Sequence, residues 1–280
     1  MLHQIEFLIE GYLLPPTMGT LRVSEKLILE KVWRTGSESR LSHETSDYAI
    51  AYVGTPVSKE KNFFLIARDY LDFFLLIYSL VSNQRVIART GIGTTIDDMS
   101  SLGAKRIGWA GFQKIHVQHE GESDFLNKPI LEAKECFLLL LPDSQKIMKS
   151  SLGLALKFYY FARLARQWEE VVIHLMIAAE TLLCTNTSEI GKNLSRRLSI
   201  LIAENEKEKA EISKKMLKLY RLRSGIVHGG GKKPSLVDVQ FLYNYVRRAI
   251  KRALSSRHLS KKELVAKLDE NLLFDEPLHP

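Results

Sequence analysis

From about residue 128 to about residue 255, apolar residues recur at helical spacing in one segment after another, with only short breaks between them. A run of amphipathic helices on short links has to bury its apolar stripes internally, which makes a bundle. The first segment, Lys128 to Leu141, stops at Pro142. "DSQKIMKSSLGLALKFYYFARLAR" follows, with Asp143 placed as an N-cap. "QWEEVVIHLMIAAETLLC" is apolar almost throughout and reads as the central, most buried helix. In "NTSEIGKNLSRRLSILIAENE", Ile190, Leu194, Leu198 and Leu201 form one stripe, and Arg196 and Arg197 lie off it. "EKEKAEISKKMLKLYRLRSGIVH" and "SLVDVQFLYNYVRRAIKRALSS" complete the set, the latter with Ser235 as its cap. From Ser260 the pattern gives one short helix and a Pro-rich end.

The preceding part follows different rules. "HQIEFLIEGYLL", "TLRVSEKLILEKVW", "SDYAIAYVG", "RVIARTGIGTTI" and "RIGWAGFQKIHVQHE" show partial two-residue alternation rich in β-branched and aromatic residues, the pattern of strands. Between them a helix is expected over residues 59–82. The polar, turn-rich "EGESDFLNKP", residues 120–129, marks the change. The expected fold class is therefore an α+β N-terminal domain, residues 1–125, followed by an all-α helical bundle, residues 126–280.

Several features are read as structural. "TGIGTT" carries Gly91 and Gly93 but lacks the third glycine of a dinucleotide-binding turn and the lysine of a P-loop, so it reads as a turn or bulge. His116 and His119 are three apart on a strand pattern and point to opposite faces, which argues against a shared metal. Cys136 and Cys184, the only two cysteines, sit in apolar helical patterns and are expected as buried thiols, which suits a reducing cytoplasm. "FFLIARDYLDFFLLIYSLV" holds Arg68, Asp69 and Asp72 within its apolar run, so a helix buried in protein is expected rather than a membrane span. The N-terminus has no basic region and its apolar run is broken by Glu6 and Glu10, unlike a signal peptide. No metal and no cofactor are expected.

The net charge is +8, unevenly distributed: residues 1–125 carry 13 Lys and Arg against 15 Asp and Glu, and the rest carry 27 against 17. A basic half either attracts a polyanion or is a solvated face.

The stretch "LYRLRSGIVHGGG", residues 219–231, narrows the choice. Gly229 is placed to close a helix in the left-handed C′ conformation. His228 then lies in the last turn, where the negative end of the macrodipole favours its protonated form. Arg223 and His228 are about 140° apart on an ideal helix, whereas Ser224 and Arg221 share the face of His228. An imidazole moves protons near neutral pH, and a guanidinium holds phosphate oxygens, so the pair suits work on a phosphodiester. The same residues also fit a plain cationic last turn with a glycine cap.

"LYRLRSGIVHGG" resembles the terminal motif of the HEPN superfamily, specifically the Apea-like group, in which a helix carries Arg-x4–6-His. "IAAETLL", residues 177–183, resembles that group's "ALEALL" helix, and "SEIGKNLSRRLSILI" resembles the helix after it. The resemblance spans roughly residues 140–255. It implies a helical bundle that pairs as a homodimer, with two Arg…His motifs meeting across it. It also implies an endoribonuclease that cleaves RNA without metal by attack of the 2′-hydroxyl, in a toxin-like role in phage defence or growth arrest. Carried over by position, Arg223 is the phosphate-binding residue and His228 the acid–base residue. Glu180 matches an acidic position that helps order the site, or is an acid paired with an arginine for packing; Arg197 is likewise supporting or structural. Ser224 stands where many HEPN nucleases have Asn, Asp or His. The alternative the resemblance allows is a non-catalytic HEPN dimerisation module that binds RNA or a protein partner. In the nuclease reading residues 1–125 would sense a protein or phage trigger or select the substrate; in the alternative they would perform the recognition.

Overall fold

The computed structural model of the chain describes residues 2–11, 20–25, 27–34, 48–56, 63–82, 86–96, 112–114, 124–186, 188–229 and 233–270. The chain divides into two compact units, Met1–Pro142 and Asp143–Pro280.

The first unit is built on an antiparallel sheet of β1 (Leu2–Gly11), β2 (Thr20–Arg22), β3 (Leu27–Arg34), β4 (Tyr48–Pro56), β5 (Val86–Ile96) and β6 (Phe112–Lys114). The order is β2-β3-β4-β1-β5, and β6 pairs with β3 beyond the residues that β2 covers. "TGIGTT" lies within β5. Its pairing with β1 slips between Phe7 and Ile9, where the partner changes from Gly91 to Ala88, an irregularity of the kind a glycine next to a bulge accommodates. His116 and His119 lie outside the described residues.

Helix α1 (Phe63–Val81) buries Leu71, Phe73, Phe74 and Ile77, and its Arg68 donates to Asp72 at 2.9 Å. Among the described residues no helix is long and apolar enough to cross a membrane. Helix α2 (Asp124–Leu140) begins inside the polar stretch expected as the domain boundary. Its Phe137 is fully buried against the rings of Tyr70, Phe73 and Phe74, with centroids 5.2, 5.7 and 5.4 Å away. This aromatic anchor makes α2 part of the first unit, so the compact division falls at Pro142 rather than at residues 125/126.

The described residues of the second unit are helical apart from short links: α3 (Ser144–Met148), α4 (Ser151–Leu164), α5 (Trp168–Leu183), α6 (Ile190–Ile202), α7 (Glu206–Val227), α8 (Leu236–Ser255) and α9 (Lys261–Asp269). The single helix expected after Pro142 is two helices. Ser150 separates them: its hydroxyl donates to the Ile147 carbonyl and accepts from the amides of Leu152 and Gly153, which starts α4 afresh. Asp143 occupies the N-cap position of α3 but makes no capping bond; its carboxylate accepts from Arg257 Nε at 2.7 Å instead. Helix α5 packs against α4, α6, α7, α8 and α9, the central place that its apolar composition requires. Ser235 and Asp238 form a capping box at the start of α8.

Candidate functional site

Helix α7 carries the Arg…His stretch, and it is fixed at both ends. At its start the Asn205 side chain accepts from the Glu208 amide at 2.9 Å, and Glu208 accepts from Arg248 of α8 at 2.8 Å. That hydrogen bond holds the Glu208 carboxyl below the usual range. At the other end the His228 amide donates to the Ser224 carbonyl at 3.1 Å and the Gly229 amide to the Ile226 carbonyl at 3.2 Å. Gly229 has φ +75°, the left-handed conformation that ends a helix, and His228 is the C-cap itself, exposed to solvent.

Arg223 turns the other way, towards α5. Its Nη2 lies 3.8 Å from Glu180 Oε2, and both side chains are mostly buried. The distance is an ion pair without a hydrogen bond. Arg223 Nε and Glu180 Oε1 are buried and make no hydrogen bond among the described residues, so each keeps bonding capacity for another group. Burial raises the Glu180 carboxyl above its usual value, and the nearby Arg223 only partly offsets this. Tyr220, one turn before Arg223, packs over Gly191 of α6; a Cβ there would stand 2.6 Å from the ring. Burial, and after it the Glu180 charge, raises the Tyr220 hydroxyl.

Next to this pair lies a second cluster. Arg197 is buried, although the sequence placed it off the apolar stripe of α6. It grips Asp269 at the end of α9 with two bonds, Nε to Oδ1 at 2.8 Å and Nη2 to Oδ2 at 2.9 Å. Its Nη1 donates to the Leu183 carbonyl at 2.8 Å, satisfying an acceptor at the end of α5. Arg196, exposed, also reaches Asp269. These hydrogen bonds, Arg197's first, hold the Asp269 carboxyl below its usual value. Cys184, the C-cap of α5, is half-buried, and burial pushes its thiol up to about 11, with the Glu180 charge adding to the rise. Burial lowers the Lys261 ammonium.

The structure therefore brings Glu180 and Arg223 together and leaves His228 apart from them. Ser224 serves through its carbonyl, which accepts from the His228 amide. Arg197 ties three helices to one another. Sequence reasoning missed Asp269, because nothing in the spacing links it to an arginine 72 positions earlier. Comparison with protein-family models, with curated proteins and with solved structures finds no match to this chain.

Proposed function

We propose that the protein is a HEPN-type endoribonuclease that needs no metal, acting as a homodimer through its C-terminal unit in phage defence or growth arrest. The observation that carries this reading is the end of α7. An exposed imidazole sits on the helix C-cap, five residues after an arginine whose guanidinium keeps an unused buried donor. In the reaction the 2′-hydroxyl attacks the adjacent phosphorus and its proton passes to one imidazole. The P–O5′ bond breaks, and a second proton donor, the motif of another copy, protonates the departing 5′-oxygen. The products are a 2′,3′-cyclic phosphate and a 5′-hydroxyl. Arg223 stabilises the charge that develops on the phosphate oxygens. The need for two proton-transfer groups, with one histidine per motif, is the reason for pairing. Val227 at the end of α7, and Leu236 and Val237 in the first turn of α8, are more than half exposed and offer apolar surface for such pairing.

One observation favours the non-catalytic reading, a HEPN module that binds RNA or a protein partner: among the described residues Arg223 lies at ion-pair distance from Glu180 and pairs with no histidine. The experiment that decides is incubation of the purified protein with total RNA in EDTA, wild type beside His228→Ala. The nuclease reading expects cleavage to fall by about 10²–10⁴-fold in the variant, the usual worth of positioned acid–base catalysis. Equal cleavage by both, or activity that chelation abolishes and magnesium restores, removes it.

A further inference from the structure

The exposed residues of α7 form a pattern that the Arg223–His228 reading does not use. Lys214, Lys218, Arg221 and His228 are all solvent-exposed. Spaced four, three and seven apart, they stay within about 80° of one another around an ideal helix, and they extend roughly 21 Å along it. Arg223 lies about 180° from Lys214, on the side that meets Glu180. Among the described residues Arg221 pairs with no carboxylate. The Lys218 ammonium, 79% exposed, approaches Asp238 only at 3.9 Å, and Asp238 is engaged in the capping box of α8. Lys215, beside the row, is folded over the Phe241 ring, 3.0 Å from its centroid. Glu211, exposed one turn before Lys214 and Lys215, ends the cationic row on that side. Between Arg221 and His228 this side of the helix carries Ser224 and Gly225, both small, so a ligand can approach the backbone closely there.

We infer that this face of α7 is the path along which a single-stranded RNA backbone runs to His228, with Arg221, rather than Arg223, as the phosphate contact on the same side as the imidazole. The inference rests on RNA being the ligand of the proposed site. A single row of cations about 4.5–6 Å apart along the Lys214–Arg221 segment matches one strand, not the paired backbones of a duplex. A strand that is to undergo in-line attack by its own 2′-hydroxyl must also be able to leave helical geometry.

The test uses the full chain and a labelled 2′-O-methyl oligouridylate, which cannot undergo 2′-hydroxyl attack, with binding followed over about 50 to 200 mM salt. Arg221→Gln and Lys218→Gln are each expected to weaken binding about threefold and to reduce the slope of log affinity against log salt by about 0.7, the share of one phosphate contact on a single strand. Lys262→Gln, the same charge loss at an exposed position of α9, is expected to change neither. All three positions are solvent-facing, and matched melting curves confirm that the variants fold. Effects at Arg221 and Lys218 no larger than at Lys262, absence of wild-type binding, or equal affinity for the strand annealed to its complement overturns the inference. The nuclease reading is scored separately with cleavable RNA. If Arg221→Gln cuts at the wild-type rate while His228→Ala does not cut, the path is wrong and the nuclease stands. If wild type binds through this face and never cuts, the path stands and the nuclease falls.

Discussion

Arg223 reaches back to Glu180 on α5, its Nη2 3.8 Å from Oε2, while His228, five residues further along the chain, pairs with neither of them. The helix turns about 140° between the two motif residues, so one phosphate cannot be bracketed by both on one straight helix. The chain places a partly desolvated guanidinium on the bundle side of α7 and a solvent-facing imidazole at its end. Any chemistry that joins them needs a substrate that bends round the helix end, or a second copy.

Glu180 gives a pH-dependent signature. Its folded-state pKa is raised by burial, so its share of stability is fully present below the unfolded value, near 4.5, and is lost as pH rises through the folded value. Glu180→Gln removes that loss. The stability of wild type relative to Glu180→Gln should therefore decrease as pH is raised from about 4.5 to 7.5, read from urea midpoints at matched slopes. A difference that stays constant or grows over that range would mean that Arg223 dominates and that the carboxylate is stabilised by the fold.

Asp269 behaves oppositely. Its pKa is depressed by Arg197 and Arg196, so its contribution is present above the unfolded value of 3.8 and is lost as pH falls through the lower folded value. Asp269→Asn leaves the guanidinium of Arg197, whose side chain is only 5% exposed, with the Leu183 carbonyl as its remaining partner. The Asp269 side is 37% exposed and partly screened, so a cost of about 1–3 kcal/mol at neutral pH is expected rather than that of a fully buried pair. The difference from wild type should shrink in acid. Equal urea midpoints at pH 7 would show that the α6–α9 tie contributes nothing.

The features that were legible in the sequence are those set by nearest neighbours. The 3.6-residue repeat located α5, α6, α7 and α8, Ser235 marked the start of α8, and the run of glycines after His228 marked the end of α7, where Gly229 takes positive φ. The features that were not legible are set by distant partners. Arg197 lies beside an apolar stripe and reads as supporting or structural, but its partner is not legible: only the packing of α9 makes it a buried clamp on Asp269. The break between α3 and α4 hides in two consecutive serines that fit a helix as well as a cap. Gly153 makes the break tight: a Cβ there would stand 2.3 Å from the Ile147 carbonyl oxygen. The direction in which Arg223 points depends on Glu180 having a buried, poorly solvated place on α5, which a motif of arginine and histidine does not encode.

Cys184 should be an unreactive thiol. With its pKa pushed up to about 11, its thiolate is a very small fraction at neutral pH. In a Cys136→Ser background, alkylation by iodoacetamide should climb about tenfold per pH unit through pH 9 and level off only near 11. A rate that levels off near pH 8.5 would indicate an ordinary, solvated thiol.

Gly229 separates backbone from side-chain effects at the end of α7. Its φ of +75° is strained for residues with a Cβ, yet a Cβ built there meets nothing within 4 Å. Any cost of substitution is therefore conformational rather than steric crowding. Gly229→Ala should cost about 1–2 kcal/mol, Gly229→Val more, because a branched Cβ tolerates the left-handed region least, and Gly229→Asn less, because its short amide enters that region readily. Where the chain avoids the cost by unwinding the last turn, the His228 amide loses its bond to the Ser224 carbonyl and the imidazole moves while its chemistry is untouched. Under the nuclease reading, RNA cleavage should then fall in the same order, Asn least and Val most, with binding to the rest of α7 little changed. Thermal stability and cleavage measured across the three variants give the ranking. If Ala and Val match the glycine in both, positive φ at residue 229 is not needed to hold His228, and the geometry of the helix end is not what positions it.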